Sequence, residues 1–286
     1  MPAALQAMQV SLPGYWSRFY WRAPQPGLRG LVLDLQGYEE RVAAPLPRRE
    51  IAVPRYVLVI DFETPYRVLE RDERTAQDYA GHGFLAGLHD GYSVTLPSHR
   101  QAGLQANLTP AGAWALLGRP LDVLQNHVVG LDDLFGAAAG RLVEALAACN
   151  DWSRRFDLLE AALARRMARG PTLSPVSRQV VQTLRRHGGR LRVTQLAQHT
   201  GISRRALQTR CREELGAPPK LLARLYRLHR TLGLAERARR ADWCEIADHA
   251  GFADQAHMIH EFRRLTGLTP IAWRLQQRRD PVVDRS

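Results

Sequence analysis

The sequence predicts an α+β protein: a small antiparallel β-barrel with accompanying helices first, then an all-α part. Three observations predict it. Short apolar runs bounded by Pro, Gly and Asp fill residues 28–108. After Thr109 the apolar spacing changes to three and four. A helix-patterned segment then occurs twice, at 196–219 and at 246–270.

The β part rests on four runs, LRGLVLDLQ, RYVLVIDF, GFLAGLHDGYSVTL and AGLQANL. Thr109-Pro110 then reads as an N-cap followed by proline at the first helical position, and Gly118 ends that short helix. Two longer helices follow, GLDDLFGAAAGRLVEALAACN and DWSRRFDLLEAALARRMARG, joined at Asn150-Asp151. Leu142 and Leu146 in one, and Phe156, Leu159 and Leu163 in the other, form apolar stripes. This pair is suited to cover the barrel or a second copy of the chain.

Gly170-Pro171-Thr172-Leu173-Ser174-Pro175 punctuates the chain where its charge balance changes. Residues 1–170 hold 18 Arg and 18 Asp+Glu, whereas residues 171–286 hold 22 Lys+Arg and 10 Asp+Glu. The entire formal charge of +12 therefore falls in the second part. We expect a neutral sensor or dimerisation domain at 1–170 and a basic domain at 171–286 whose partner is a polyanion. A solvated basic surface is the plainer alternative. Ser174 caps, and Pro175 opens, a helix with Val176, Val180, Val181 and Leu184 on its apolar face, ending at Gly188-Gly189.

Within the basic part the two copies align residue by residue. Leu196-Ala197 corresponds to Ile246-Ala247, and Gly201-Ile202 to Gly251-Phe252. After one extra residue in the second copy, Ser203, Leu207, Cys211, Gly216 and Pro219 correspond to Asp254, Met258, Phe262, Gly267 and Pro270. Each copy reads as a short helix, a tight turn on a glycine of positive φ, a capped second helix and a terminating glycine. That is helix-turn-helix, built twice. Asp242 and Glu245 are spaced as a capping box for the second copy. Between the copies, KLLARLYRLHRTLGLAERA predicts a helix of about 25–30 Å. Such a spacer could hold two recognition helices about one DNA turn, near 34 Å, apart. Leu221, Leu222, Leu225 and Leu228 would pin it to both units.

With Met258, Phe262 and Leu265 facing inward, the last recognition helix exposes Gln255, Ala256, His257, His260, Glu261 and Arg264. His257 and His260 are spaced i, i+3 but lack further metal ligands nearby, so DNA contact is favoured over zinc or mere solvation.

These residues resemble the AraC-type bacterial transcription regulators, over about 174–276. The motif comprises Ile246-Ala247, Gly251-Phe252, Asp254, Met258, Phe262, Arg263-Arg264, Gly267 and Pro270, with Trp273-Arg274 where the family often has Tyr-Arg. The stretch VLQNHVVGLDDLFG is similar to the cupin-like sensor domain attached to one branch of that family. The resemblance implies base contacts from Arg204, Arg205, Gln208 and Thr209 in the first unit, and from Gln255, Ala256, His257 and His260 in the second. Arg212, Arg263 and Arg264 complete the expected DNA-binding set. Thr209 and His260 stand where relatives often place arginine, so a different sequence preference is expected. Ala256 offers only a methyl contact to thymine. Arg210 replaces an apolar residue; its stem is expected to pack and its head to reach a phosphate. Cys211 replaces an aromatic and is expected to loosen the first unit.

The expected function is sequence-specific binding of double-stranded DNA to regulate transcription, with activation and repression both open. RNA polymerase, a small-molecule effector and a second copy of the chain are further partners the resemblance leaves open. The alternatives are an N-terminal half that only makes protein contacts, an enzyme in residues 1–168, and nonspecific packaging of nucleic acid. No metal or cofactor is expected. His82, His89 and His99 have no metal spacing, and neither a phosphate loop nor a GxSxG elbow occurs. Arg67, Tyr92 and His99 are polar groups on or near barrel strands and are not assigned as ligand contacts. Cys149, Cys211 and Cys244 form no CxxC pair, and no stretch of about 18 apolar residues appears. A cytoplasmic protein with free thiols and no membrane segment is expected.

Overall fold

The computed structural model describes the chain except residues 1–3, 45–46, 64–66, 70–75, 79–81, 97, 239 and 280–286. Its strands are β1 (Gln6–Leu12), β2 (Tyr15–Arg22), β3 (Val32–Val42), β4 (Arg48–Glu50), β5 (Tyr56–Asp61), β6 (Arg67–Leu69), β7 (Ala76–Asp78), β8 (Gly83–Ala86), β9 (Ser93–Leu96), β10 (Arg100–Leu108) and β11 (Val128–Gly130). They pair antiparallel in two sheets, ordered β1-β2-β3-β10-β5-β8-β11 and β4-β9-β6-β7. The four expected runs are there as β3, β5, β8 with β9, and β10. The hairpin β1–β2 was not anticipated, although Pro13-Gly14 before an aromatic-rich run is a turn-and-strand signal. Arg67 lies on β6, but its side chain falls outside the described residues.

The larger sheet has two chemically different faces. Leu35, Leu58, Ile60, Leu104, Ala106 and Leu108 lie on one face and are fully buried. Helices α1 (Pro110–Leu117) and α4 (Trp152–Met167) cover this face. Trp152 stacks on Tyr20 with centroids 4.2 Å apart and occupies the space a side chain at Gly37 would need. The other face is polar. Ser17, Glu40 and Gln101 lie side by side across β2, β3 and β10, all buried. One row along, the Tyr38 hydroxyl donates to Asp61 at 3.0 Å. Arg48 of the smaller sheet meets Glu40 at 2.7 Å, which places β4 over this layer. Burial pushes the Asp61 carboxyl up to about 7, against a smaller downward pull from the Tyr38 hydrogen bond.

Thr109 caps α1 by accepting from the Gly112 N–H at 3.1 Å, and Gly118 ends it at φ 72°. The next expected helix is broken in two, α2 (Leu131–Phe135) and α3 (Ala138–Ala147). Gly136, at φ 56° and ψ −142°, interrupts it. Its backbone leaves the helical region, so a continuous apolar spacing did not translate into a continuous helix. Asp151 caps α4. A charge cluster ties α4 to the sheet: buried Arg22 pairs with buried Glu160, which also accepts the Gln25 N–H at 2.6 Å, and with half-exposed Asp157 at 2.8 Å.

The remaining helices are α5 (Pro175–His187), α6 (Val193–Thr200), α7 (Arg204–Leu215), α8 (Pro219–Arg237), α9 (Trp243–Ala250), α10 (Gln255–Thr266) and α11 (Pro270–Arg279). Ser174 caps α5 as read, with Val180 and Leu184 buried beside Ser177. Helix α8, at 1.5 Å per residue over 19 residues, is about 28 Å long. Its Leu221, Leu222, Leu225 and Leu228 are buried.

Candidate nucleic-acid interface

The duplicated segments form two equivalent helix pairs, α6–α7 and α9–α10. Gly201 and Gly251 make the two turns at φ 68° and 85°. Ser203 Oγ accepts the Ala206 N–H at 3.2 Å, and Asp254 Oδ1 accepts the His257 N–H at 2.7 Å. Leu207, Cys211 and Leu215 are buried in the first unit, as are Met258, Phe262 and Leu265 in the second. Cys211 is fully enclosed, so the smaller side chain leaves no exposed gap at its own position. Its thiol is pushed up to about 12, chiefly by burial and then by the neighbouring Glu214 charge. Asp242 caps α9 through the Cys244 and Glu245 N–H groups. The reciprocal box bond occurs instead in the first unit, where Gln195 accepts the Arg192 N–H at 2.9 Å.

This packing decides what points outward. Arg204, Arg205, Gln208, Thr209 and Arg212 are all exposed on α7. Ala256, His257, His260, Arg263 and Arg264 are exposed on α10. Gln255 is half-buried and accepts from the Cys244 thiol at 3.1 Å, which directs it back toward α9. The His257 ring meets Phe252 edge-on, with centroids 5.4 Å apart. Arg264 pairs with Asp90 at 3.2 Å across to the β part. Glu261 is held by Arg224.

Arg210 departs from expectation. Its head pairs with Glu214 one turn along at 2.9 Å. Glu214 also accepts the Ser174 N–H at 2.8 Å. Burial works against the Glu214 charge most strongly, but these donors and the Ser174 and Ser177 hydroxyls together hold the carboxyl below its ordinary value. Glu214 thus ties α7 to the start of α5, and Arg210 supports its charge from one turn earlier on the same helix.

Sequence reasoning also missed how many arginines of the basic part serve its architecture. Arg190 donates to the Asp248 and His249 carbonyls at 2.9 and 2.6 Å, and Arg230 donates to His249 at 2.9 Å. These are carbonyls of the last turn of α9, where the helix runs out of its own donors, although Asp248 also accepts the Gly251 N–H at 2.9 Å. Arg227 donates to the Gly189 carbonyl at 3.1 Å and lies over the Phe252 ring. Arginine at a helix C-terminus complements the dipole as well as the carbonyls. The two units are therefore joined by guanidinium groups as well as by α8. Nothing in the sequence around these arginines marked the role, because their partners are remote in sequence.

What remains exposed is a set of cations and hydrogen-bonding groups along α7 and α10, the second helix of each pair. Helices so placed can enter a major groove and read base edges. No helix among the described residues is long and apolar enough to cross a membrane.

Residues 196–276 match a family model described as a helix-turn-helix domain. No curated protein matches the chain. Among solved structures, the chain is similar to ToxT of Vibrio cholerae at 10% identity, over 92% of this chain and 97% of that one, with a TM-score of 0.46. It is similar to the C-terminal domain of AraT, a response regulator of Geobacillus stearothermophilus, at 22% identity over 40% and 95%, with a TM-score of 0.36. The DNA-binding domain of AdpA, solved with a target DNA, matches at 28% identity over 38% and 98%, with a TM-score of 0.35. Residues 196–276, with their two capped helix pairs, are a helix-turn-helix domain.

Proposed function

We propose that each chain lays α7 and α10 into successive major-groove segments on one face of double-stranded DNA. Arg204, Arg205, Gln208 and Thr209 would read one segment, and Gln255, Ala256, His257 and His260 the other. Arg212, Arg263 and Arg264 would hold phosphates. The observation that carries this reading is the exposure of these residues, the half-buried Gln255 excepted, on two duplicated helices in the part of the chain that holds its net positive charge. Residues 171–286 are read as the unit that binds DNA, and residues 1–170 as the unit that responds to an effector or a partner. A small-molecule effector, RNA polymerase and a second copy of the chain are the partners proposed for that half. A cytoplasmic location and the absence of catalysis follow from the same reading.

The test is selection by the full chain from random duplex DNA at near-physiological salt. Two short motifs at a fixed separation near one helical turn are expected, protected on one face of the duplex. Recovery of unenriched sequence, with binding that depends only on salt, would return the chain to nonspecific packaging.

A further inference from the structure

The last turn of a helix leaves its carbonyls without intrahelical partners. In both recognition helices the β part supplies a donor for one of them. The Tyr56 hydroxyl donates to the Leu215 carbonyl at the end of α7, at 2.9 Å. The Ala52 N–H donates to the Leu265 carbonyl at the end of α10, at 3.1 Å. Tyr56 is fully buried, and burial pushes its hydroxyl far above the ordinary tyrosine range, so it stays a donor.

The glycines that end the two helices repeat the pattern. A side-chain carbon at Gly216 would fall on the Tyr56 hydroxyl and lie 3.1 Å from the Leu121 carbonyl oxygen. One at Gly267 would meet ring atoms of Tyr92 at 2.8–3.0 Å. Gly216 and Gly267 are equivalent positions of the duplication, and a tyrosine of the β part is seated on each.

Ala52 and Tyr56 belong to one short segment, Ala52-Val53-Pro54-Arg55-Tyr56. Four residue steps extend to at most about 14 Å. Proline fixes φ within it. This segment therefore bridges the C-terminal ends of both recognition helices, on the side away from their first turns. Helix α8 joins the two units by a separate route.

We propose that Ala52–Tyr56, with Tyr92, is a brace that sets the separation and angle of the two recognition helices, and so determines which half-site spacing the protein accepts. Tyr56 and Tyr92 are positioning residues for DNA specificity, although neither touches DNA. Any event in the β part that shifts this segment would change the preferred site without altering a base-contacting side chain. The inference rests on the two-segment reading of DNA above.

The test uses the full chain and the sequence it selects, rebuilt with one or two base pairs added or removed between the two motifs. Each added pair moves one motif by about 3.4 Å and rotates it by about 35°. The unaltered protein is expected to lose about tenfold or more for a one-pair change, comparable with a base mismatch. Tyr56→Phe removes only the hydroxyl, Tyr92→Ala only the second seat, and Pro54→Gly loosens the segment while keeping both contacts. Each variant is expected to flatten the spacing profile, narrowing that ratio several-fold, while binding a single-motif duplex as the unaltered protein does. A role confined to stability would lower the melting temperature and leave the profile unchanged. If the three variants discriminate spacing as sharply as the unaltered chain, or weaken all spacings in parallel, the brace is refuted. If the unaltered chain selects no sequence at all, the DNA reading itself falls, and the brace with it.

Discussion

Arg205 and Arg263 occupy opposite ends of their helices, and that placement separates their roles. Arg205 lies in the first turn of α7, exposed and opposite buried Leu207. From there a guanidinium can fork onto guanine O6 and N7. Arg263 lies in the last turn of α10, exposed beside buried Phe262, where in the two-segment reading the helix would leave the groove. Arg205→Ala is expected to lose roughly 1–3 kcal/mol on the selected site and relax preference at one base pair. Arg263→Ala should weaken selected and random DNA by similar factors and reduce the salt slope by about one ion. Binding to matched and single-base-altered duplexes across a salt series checks both; the reverse assignment would mean the helices enter the groove the other way round. A second residue sets a pH dependence of stability. Asp61 releases its proton near pH 7 when folded but near the ordinary value of about 4 when unfolded. Between these the folded state holds the extra proton, so stability falls as pH rises, by at most about 1.4 kcal/mol per unit, and levels off above pH 7. Thermal melts from pH 4.5 to 7.5 should show this decline in the unaltered chain, and Asp61→Asn should flatten it.

At the scale of elements, the duplication was legible because everything that makes a helix-turn-helix unit is local. Ser203 and Asp254 as caps, the glycine turns at 201 and 251 and the inward Leu207/Met258 pair all act within a few residues. Gly136 shows the limit of that reading: its neighbours keep helical spacing, but its own backbone ends the helix. The polar face of the larger sheet was not legible either. Ser17, Glu40 and Gln101 meet only through the register of β2, β3 and β10, and no spacing within one strand records that. The base-contact set was read from position in the motif, whereas the engagement of Arg210, Arg264 and Gln255 depends on partners outside it. Two glycines measure how strongly one element leans on another. Gly201 and Gly216 share a left-handed backbone, at φ 68° and 67°, but a side chain at Gly201 would enter open space. Gly201→Ala should therefore cost only the conformational penalty, about 1–2 kcal/mol. Gly216→Ala adds collision with the Tyr56 hydroxyl. Its melting temperature should fall several degrees further, and equal losses would mean that Tyr56 yields freely.

Across the whole molecule, the charge ledger shows how the neutral part can govern the basic one. The +12 belongs to residues 171–286, but Arg190, Arg210, Arg224, Arg227 and Arg230 are committed to carbonyls or carboxylates inside the fold. Arg264 is different, because its partner Asp90 comes from the β part. In the two-segment reading Arg264 faces a phosphate, so Asp90 and DNA compete for one guanidinium. The pair is partly exposed on both sides and is therefore weak in itself. Its consequence for DNA lies in counterion accounting. An arginine already neutralised by a carboxylate displaces no further cation from the duplex, whereas a released one displaces about 0.9. Asp90→Asn should therefore steepen the plot of log K against log salt by about that amount and tighten binding at low salt. The backbone N–H of Asp90, which donates to Asn126 at 2.9 Å, is kept in this variant. Removing any negative charge near DNA would also strengthen binding, so the decisive measurement is a double-mutant cycle. In an Arg264→Ala background, Asp90→Asn should leave the salt slope nearly unchanged. An undiminished effect there would show that Asp90 repels DNA directly and does not hold Arg264 in reserve.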